Sequence, residues 1–516
     1  CGLAAETQEP VVITCTGATA SRNYIPGLTE AFYRKLPILA VTATQHTGRI
    51  GQNIPQVIDR SVQIKDTVKY SLQLPVIHDE EDAWAYGVKI NEALLELRHH
   101  GGGPVHINLT TQYSKEFSVK SLPPVKIIHR ICYNDALPSI KGKKIAIFVG
   151  AHLAWNDSLT SAVDSFCETY NAVVFCDHSS NYQGKYRVFF SLVGSQALYQ
   201  SKLNHVDLLI DIGDISGAYC VPVANEVWRV NPDGIVRDTY RKLTNVFEMQ
   251  EKDFFQAYAD DSREKNVEYY KDCCQEYKWI YQQIPELPFS NIWVAQHTCQ
   301  KLPQNSVLHL GILNTLRSWN FFDTPLSIRN YVNTGGFGID GDVSALVGAS
   351  LADKDMLYFG VVGDLAFFYD MNVLGNRHVG SNIRLMLINN GLGVEFRNYN
   401  HPANRFGEDA DAYMAAAGHY GNKSADLVRH YATDLGFEYL SASNKEEFEK
   451  HISHFLTQQK LDKPILFEIF TNKQDESDAL YQINHLITSK KEETKQLARN
   501  ILGEKGIKLA KKILRR

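Results

Sequence analysis

Two polar positions stand where buried strands are predicted to end, and both carry oxygen atoms of the kind that bind hard cations. The run GVVGDLAFFYDMN, residues 360–372, predicts a strand that ends at Asp364 and passes at once into a helix. The run NIRLMLINN, residues 382–390, predicts the next strand, which ends at Asn390. In a parallel sheet both carboxyl ends open at one edge, so Asp364 and Asn390 can converge there.

The chemistry that these positions could support is the binding of a metal-bridged anion. A carboxylate, an amide oxygen and a nearby backbone carbonyl suit Mg²⁺, which prefers few protein ligands, water and phosphate oxygens. Gly391 and Gly393 let the backbone approach a bound group, and the helix after Gly363 offers free N–H groups to an anion. The pair predicts a Mg²⁺-bridged diphosphate. Taken alone, Asp364 would also fit a helix cap, and the run INNG at 388–391 would also fit a turn.

The elements that must position these residues alternate between strand and helix patterns. Helices are predicted at 23–35 and 84–100. Strands are predicted in three blocks: 9–17, 36–44 and 103–110; 143–151, 171–177 and 206–214; 306–312, 355–364, 382–390 and 463–470. Alternation of this kind predicts an α/β fold with three parallel-sheet domains.

The predicted domain bounds follow these blocks. Residues 121–139 have the composition of a linker, and residues 245–290 are polar, aromatic and helical in pattern. The predicted parts are a first domain at 1–118, a central α/β domain at 125–245, a helical connection at 246–290, a third domain at 291–475 and a basic helical tail at 476–516. For the basic tail a solvated helix is the plainer interpretation, and contact with a membrane surface or a partner is the alternative.

Composition excludes several classes of protein. The chain has 516 residues and a net charge of −5, which gives no support to nucleic-acid binding. No apolar run reaches the roughly 18 residues of a membrane span. The nine cysteines have no CxxC spacing, which favours reduced thiols and a cytoplasmic protein. The chain begins at Cys1, and the helix-to-strand pattern that follows suggests a truncated first domain rather than a lipoprotein cysteine.

These motifs resemble those of the thiamine-diphosphate (ThDP) enzymes. The GD pair followed after about 26 residues by NN resembles the family's metal and diphosphate motif, with Leu365 where Gly or Ser is usual. Residues 11–43 and 333–350 resemble the branch that makes 2-succinyl-5-enolpyruvyl-6-hydroxy-3-cyclohexene-1-carboxylate (SEPHCHC) in the menaquinone pathway, the MenD family. The resemblance implies pyrimidine-binding, central and diphosphate-binding domains in that order, with ThDP and Mg²⁺ as cofactors.

The resemblance also implies roles for single residues. The side chains of Asp364 and Asn390 and the carbonyl of Leu392 would ligate the metal. Ile339 would be the apolar wedge under the bent cofactor, and Gln56 the catalytic glutamine beside the thiazolium. The residues implied in cofactor binding are Thr16, Gly17, Ala18, Gly338, Ile339, Gly363, Leu365 and Ala366.

The first departure from the family pattern concerns its glutamate. The glutamate that hydrogen-bonds the aminopyrimidine would lie roughly eight residues before Cys1, and Glu6 lies downstream of that place. A chain that begins at Cys1 is therefore expected to be catalytically weak, because the cofactor's acid–base step lacks its partner.

The second departure concerns the substrate. Thr334 replaces an arginine of the family, and the pair Glu395-Phe396 replaces Ile-Phe. Since arginine suits carboxylate binding, these changes argue against identical substrates. Residues that could supply positive charge instead are Arg49, Arg397, His401 and Arg405, although a plain surface role fits each of them.

The implied reaction is decarboxylation of a 2-oxoacid followed by acyl transfer to an acceptor. The implied assembly is a homodimer or homotetramer with active sites shared between subunits. Two alternatives stay open: an acetolactate-synthase-like carboligase or decarboxylase with another substrate, and a ThDP-binding protein without catalysis. His46 and Cys15 lie in the first domain's loops, and neither is predicted to be catalytic.

Overall fold

A computed structural model describes residues 1–15, 18–112, 118–122, 124–142, 144–260, 262–419, 421 and 423–487. The described residues form two compact units. The first comprises Cys1–Ile140 and Glu226–Gln250, and the second the described parts of Lys141–Asn225 and Glu251–Arg516. The predicted domain bounds stay a prediction.

Seventeen strands are described. In chain order they are β1 (Val11–Cys15), β2 (Ile38–Thr44), β3 (Tyr70–Leu74), β4 (Val105–Thr110), β5 (His129–Cys132), β6 (Ile145–Val149), β7 (Ala172–Cys176), β8 (Arg187–Phe189), β9 (His205–Ile212), β10 (Val223–Val230), β11 (Leu243–Glu248), β12 (Val307–Leu310), β13 (Arg329–Val332), β14 (Tyr358–Gly363), β15 (Ile383–Asn389), β16 (Glu438–Ala442) and β17 (Ile465–Phe470).

Fourteen α-helices are described. They are α1 (Gly2–Thr7), α2 (Ile25–Tyr33), α3 (Glu80–Glu96), α4 (Asp157–Tyr170), α5 (Ser191–Gly194), α6 (Glu251–Ala257), α7 (Glu268–Tyr281), α8 (Asn291–Thr298), α9 (Asn314–Trp319), α10 (Asp342–Ser350), α11 (Asp364–Asp370), α12 (Leu427–Asp434), α13 (Lys445–Phe455) and α14 (Lys473–Asn484). In the described residues, none of the helices is both long and apolar enough to cross a membrane.

The first unit contains a four-stranded parallel sheet in the order β1-β2-β4-β3. Residues of β2 alternate between buried and half-buried, because its side chains point to opposite faces of the sheet. Two apolar clusters form, one with Leu28 of α2 and one with Ala93 of α3. In the same unit, β11 pairs in parallel with β5 and with β10.

The second unit carries the strands that end at the predicted metal site. Its six-stranded parallel sheet has the order β13-β12-β14-β15-β17-β16. Every residue of β15 is buried, as expected of a central parallel strand covered on both faces. Two apolar clusters lie against this sheet, one around Trp319 and one around Phe367. Strands β9, β6, β7 and β8 pair in parallel in this unit as well.

The predicted α/β fold with parallel sheets is confirmed, because all the strand pairings of the described residues are parallel.

The linker predicted at 121–139 is wrong in part, because β5 lies within it. The helical pattern at 245–290 begins inside strand β11. Short strands with few β-branched residues give little periodic signal. The basic segment from 488 onward lies outside the described residues.

Candidate functional site

Two neighbouring strands bring the predicted metal ligands to one edge of the sheet. Strands β14 and β15 pair in parallel, with Gly363 opposite Ile388. Asp364 begins α11 directly after β14, and Asn390 follows β15 directly. The sequence prediction that these two strand ends converge agrees with this register, although their role as metal ligands stays a prediction.

The Asp364 carboxylate is buried and held by backbone donors. Its side chain accepts from three N–H groups: Oδ1 from Leu365 at 2.8 Å, and Oδ2 from Asn390 at 3.2 Å and Gly391 at 2.5 Å. The residue is 2% exposed. Gly391 has φ 86°, the left-handed region that glycine adopts without strain. The turn after β15 therefore wraps the carboxylate of the preceding strand.

His419 also contacts this carboxylate, and its proton can be placed. The Gly421 N–H donates to Nδ1 of His419 at 3.1 Å, so Nδ1 is the acceptor nitrogen. Nε2 therefore carries the proton and donates to Asp364 Oδ2 at 3.1 Å. Oδ2 therefore accepts from three donors, whereas Oδ1 accepts from Leu365.

The amide of Asn390 supplies the observation that points to a cation. Its Oδ1 is buried and has no hydrogen-bond partner among the described residues. A buried acceptor without a donor is costly, and a bound ion is one of the groups that can satisfy it. Since Oδ1 belongs to the residue whose N–H already contacts Asp364, the two side chains fit a hard divalent cation such as Mg²⁺. Leu392, the third predicted ligand, is half-buried in the same turn.

A second buried carboxylate lies behind the first. Glu468 of β17 is 1% exposed and accepts from Asn389 Nδ2 and from the Tyr439 hydroxyl, each at 2.7 Å. Burial raises the pKa of Glu468 above its usual range, and the nearby charge of Asp364 acts in the same direction.

The loop between β13 and α10 holds the predicted apolar wedge. Ile339 is half-buried and packs against the cluster around Phe367. A Cβ on Gly338 would lie 2.6 Å from Oδ1 of Asp340, an exposed side chain that can turn away. Thr334, which replaces the family's arginine, is 3% exposed.

Asp342 anchors this loop at the start of α10. Its Oδ1 accepts from Asn333 Nδ2 at 3.1 Å, and its Oδ2 is buried without a partner among the described residues. Burial raises the pKa of Asp342 to about 7, and the like charges of Asp370 and Asp340 add to that effect. The carboxyl group is therefore only partly ionised at neutral pH.

Three of the four predicted substrate residues, Glu395, Phe396 and Arg397, lie in and after the turn that follows β15. Glu395 is paired with Arg317 of α9. The Phe396 ring lies 5.1 Å from His401. Arg397 is buried, donates to the Gly407 carbonyl at 2.7 Å and pairs with Asp411, which fits a structural role. The remaining predicted cation, Arg405, is exposed and donates to Pro402 O at 3.1 Å.

The predicted residues of the first unit lie in its loops. Gln56 is exposed at φ 64°. Arg49 is exposed and donates to Gln45 Oε1 at 2.5 Å, and His46 Nδ1 accepts from Gly48 at 3.1 Å. Thr16 and Gly17 lie outside the described residues, and Ala18 begins a short 3-10 helix.

Three functional candidates were missed by sequence reasoning: His419, Arg317 and Glu468. Arg317 lies in α9, just after the carboxyl end of β12, so the strand-end rule that selected Asp364 could have found it. His419 stands in the turn-rich run AAAGHYG, 55 positions after Asp364, and no pattern marks it. Glu468 lies inside a strand that reads as continuous core.

A buried carboxylate and an unpartnered amide at adjoining strand ends define an α/β protein with a candidate ligand site at the carboxyl edge of its sheet. The particular relatives are more specific. The chain is 29% identical to a SEPHCHC synthase of Bacteroides fragilis, over 94% of this chain and 88% of that one. It is 29% identical to the Phocaeicola vulgatus synthase, over 95% and 89%. The Desulfotalea psychrophila synthase is 25% identical, over 91% and 88%. The predicted resemblance is confirmed by these similarities.

Two further comparisons add little. None of the family models matches the chain. A solved structure, the thiamine diphosphate-dependent 4-hydroxybenzoylformate decarboxylase of Rhodococcus jostii RHA1, is 15% identical with a TM-score of 0.42. It covers 90% of this chain and 88% of its own, and no functional conclusion rests on a likeness of this degree.

Proposed function

We propose that this protein is a ThDP- and Mg²⁺-dependent enzyme that decarboxylates a 2-oxoacid and transfers the acyl group to an acceptor, as SEPHCHC synthases do. The similarity to those synthases covers 94% of the chain. The observation that carries the proposal is the unpartnered Oδ1 of Asn390 beside the buried Asp364 carboxylate.

The residues of the second unit would hold the metal and the diphosphate. Asp364 and Asn390 would give side-chain oxygens to Mg²⁺, and Leu392 its carbonyl. His419 would keep its Nε2–H on Asp364 and thereby fix the carboxylate's orientation. Gly338, Ile339, Gly363, Leu365 and Ala366 are the proposed cofactor contacts from this unit. ThDP, when bound, supplies the electron sink that decarboxylation requires.

The first unit is proposed to serve the reacting end of the cofactor. Thr16, Gly17, Ala18 and Gln56 are the residues carried over for that role. In this proposal the enzyme is a cytoplasmic homodimer or homotetramer, in which the first predicted domain of one subunit faces the third predicted domain of another.

The donor acid is proposed to be 2-oxoglutarate and the acceptor isochorismate, as in the synthases. One observation favours a second candidate, a carboligase or decarboxylase that uses a less charged acid. Glu395 pairs with Arg317 by two hydrogen bonds and so cancels the charge that a dianionic acid would need. Thr334, in the place of an arginine, acts in the same direction.

The first experiment tests the cofactor site on the full-length protein. Binding of ThDP is measured by calorimetry with Mg²⁺ and with EDTA, for wild type, Asn390→Ala and the exposed control Asn400→Ala. We expect Mg²⁺-dependent binding in wild type and control, and at least a tenfold loss in Asn390→Ala. Equal binding in all three proteins, or binding that ignores Mg²⁺, would overturn the metal assignment.

The second experiment tests the reaction. Release of CO₂ from 2-oxoglutarate is followed with and without isochorismate, and the product is identified by mass spectrometry. An isochorismate adduct confirms synthase activity, whereas release from pyruvate alone supports the second candidate. Tight ThDP binding without turnover across a panel of 2-oxoacids would indicate a non-catalytic protein.

A further inference from the structure

Three side chains of the first unit bring ligand atoms together at a place that the proposed reaction does not use. The ligand atoms of His99, His100 and Glu248 lie within 4.8 Å of one another. His99 Nε2 lies 2.8 Å from Glu248 Oε2, and His100 Nε2 lies 2.8 Å from Glu248 Oε1. Each oxygen of one carboxylate therefore faces one imidazole.

His99 is oriented from behind by a second carboxylate. Glu96 Oε1 lies 2.7 Å from His99 Nδ1, at the end of α3. Histidines that bind metals commonly donate their other ring N–H to a carboxylate, which fixes the tautomer and raises the basicity of the free nitrogen. Lys69 and Arg130 lie 3.6 and 3.1 Å from Glu96 and neutralise it, so its charge does not compete for a cation.

The carboxylate of Glu248, at the end of β11, packs closely against Gly234. A Cβ on Gly234, which has φ 61°, would lie 2.4 Å from Glu248 Oε2, so the carboxylate occupies space that only glycine leaves open. The Nε of Arg130 lies 3.7 Å from the same oxygen, but it donates its proton to the Gly234 carbonyl at 3.1 Å. Glu248 is 14% exposed and His99 12%, so both are largely shielded from water.

The backbone at His100 is strained in a way that serves this arrangement. His100 has φ 45° and ψ 49°, in the left-handed region that a residue with a side chain rarely adopts. The ring of His100 stacks on that of His99, with centroids 3.7 Å apart. Stored strain of this kind is often found at binding sites, where the surroundings maintain it.

We propose that His99, His100 and Glu248 form a binding site for one divalent transition-metal ion, with Zn²⁺ as the best match. Two imidazole nitrogens and one carboxylate are ligands that Zn²⁺ accepts at about 2.0–2.2 Å in tetrahedral geometry. Two such ligands stand about 3.3 Å apart, so the 2.8 Å contacts need to open by about half an ångström. The ion joins the loop after α3 to the end of β11, and water fills the fourth position.

A nearby thiol is not part of the site. Cys132 of β5 lies opposite Glu248 in the strand register, but its sulfur does not belong to the cluster. Cys132 therefore provides a control variant.

The test titrates chelator-treated protein with Zn²⁺ by calorimetry and with Co²⁺ by visible absorption, in excess Mg²⁺ to occupy hard oxygen sites. We expect one equivalent of Zn²⁺ and the spectrum of four-coordinate Co²⁺. His100→Ala and Glu248→Gln should each weaken Zn²⁺ binding at least tenfold. His78→Ala is the matched control, because His78 pairs with a single carboxylate, Asp82, at 3.2 Å. Cys132→Ser should bind like wild type.

A stability measurement keeps the test independent of folding defects. The side chain of His100 is 72% exposed, so its removal should leave the metal-free melting temperature close to that of wild type. Zn²⁺ should raise the melting temperature of wild type and not that of His100→Ala, since a ligand stabilises only the state that binds it. Absence of Zn²⁺ uptake, equal uptake in His100→Ala, or loss of uptake in Cys132→Ser would overturn the proposal.

Discussion

Arg317 and Glu395 form a bidentate ion pair at the carboxyl edge of the six-stranded sheet. Nη1 of Arg317 lies 2.8 Å from Oε2 of Glu395, and Nη2 lies 2.7 Å from Oε1. The guanidinium also lies over the Tyr219 ring, 4.1 Å from its centroid. Both charged side chains are largely buried, so the pair is more than a solvent-exposed contact. Arg317, which could otherwise bind a substrate carboxylate, is thus already paired with a carboxylate of its own chain, that of Glu395.

Glu395→Gln should shift substrate preference toward doubly charged acids. The substitution keeps the shape of the side chain but leaves the charge of Arg317 uncompensated. If the donor acid binds near this edge, kcat/KM for 2-oxoglutarate relative to pyruvate should rise several-fold, mainly through KM. Glu408→Gln removes one partner of the more exposed Lys473–Glu408 pair and should leave the ratio unchanged. An unchanged ratio in Glu395→Gln would place the pair outside the substrate's reach.

Gly391→Ala should impair metal binding beyond its effect on stability. Gly391 has φ 86°, and its N–H donates to Asp364 Oδ2 at 2.5 Å. Alanine at such a backbone angle costs about 1–2 kcal/mol and moves the N–H that orients the carboxylate. We expect a lower melting temperature and at least a tenfold weaker Mg²⁺-dependent binding of ThDP.

Gly436→Ala provides the matched control for that substitution. Gly436 has φ 87°, and a Cβ there would meet nothing within 4 Å. It should therefore lose a similar amount of stability while binding Mg²⁺ and ThDP like wild type. Equal loss of cofactor binding in both variants would mean that strain alone, rather than the Asp364 contact, explains the effect.

The strand ends that carry Asp364 and Asn390 could be predicted from sequence because each follows a long apolar run. β14 and β15 are almost entirely buried, and such strands read as continuous hydrophobic segments. By contrast, β5, with the sequence HRIC, reads like part of a linker. It is a strand because it pairs with β11, which is a tertiary effect that propensity does not contain.

The contacts around the candidate site were less predictable than its position. His419 reaches Asp364 across 55 positions, and no local pattern encodes such a contact. The sequence indicates that Glu395 is an unfavourable charge for an anionic substrate. Its pairing with Arg317 depends on how α9 packs beside the turn that follows β15. The strand-end rule gives the place of a ligand site, whereas the charge balance of the site needs the folded chain.

Ile339→Ala should separate cofactor binding from turnover. Ile339 packs only partly against the core cluster around Phe367, so its truncation should cost roughly 1 kcal/mol or less of stability. If the side chain acts as the wedge that the family resemblance implies, kcat should fall at least tenfold while ThDP affinity changes little. Ile339→Leu, which keeps the volume, should recover most of the rate. Parallel loss of affinity and rate would indicate a plain packing role.

The buried carboxyl group of Asp342 should make the protein less stable as the pH rises. Burial raises the pKa of its carboxyl group from the ordinary 3.8 to about 7. Between these values the folded state holds a proton that the unfolded state has released. The stability contributed by this proton is present at low pH and is lost as pH rises through about 7, with a slope of at most about 1.4 kcal/mol per pH unit.

Asp342→Asn should remove this dependence, because the amide stays neutral and can still accept from Asn333 through its oxygen. Melting temperatures are compared at pH 5 and pH 8 for wild type, Asp342→Asn and the exposed neighbour Asp340→Asn. The variant at 342 should gain on wild type as pH rises, since only wild type must then ionise a buried group. Asp340→Asn should follow wild type with a much smaller change. If the melting temperature falls by the same amount from pH 5 to pH 8 in all three proteins, the pH dependence belongs to other groups. One such group is Glu476, because burial raises its pKa to about 7 as well.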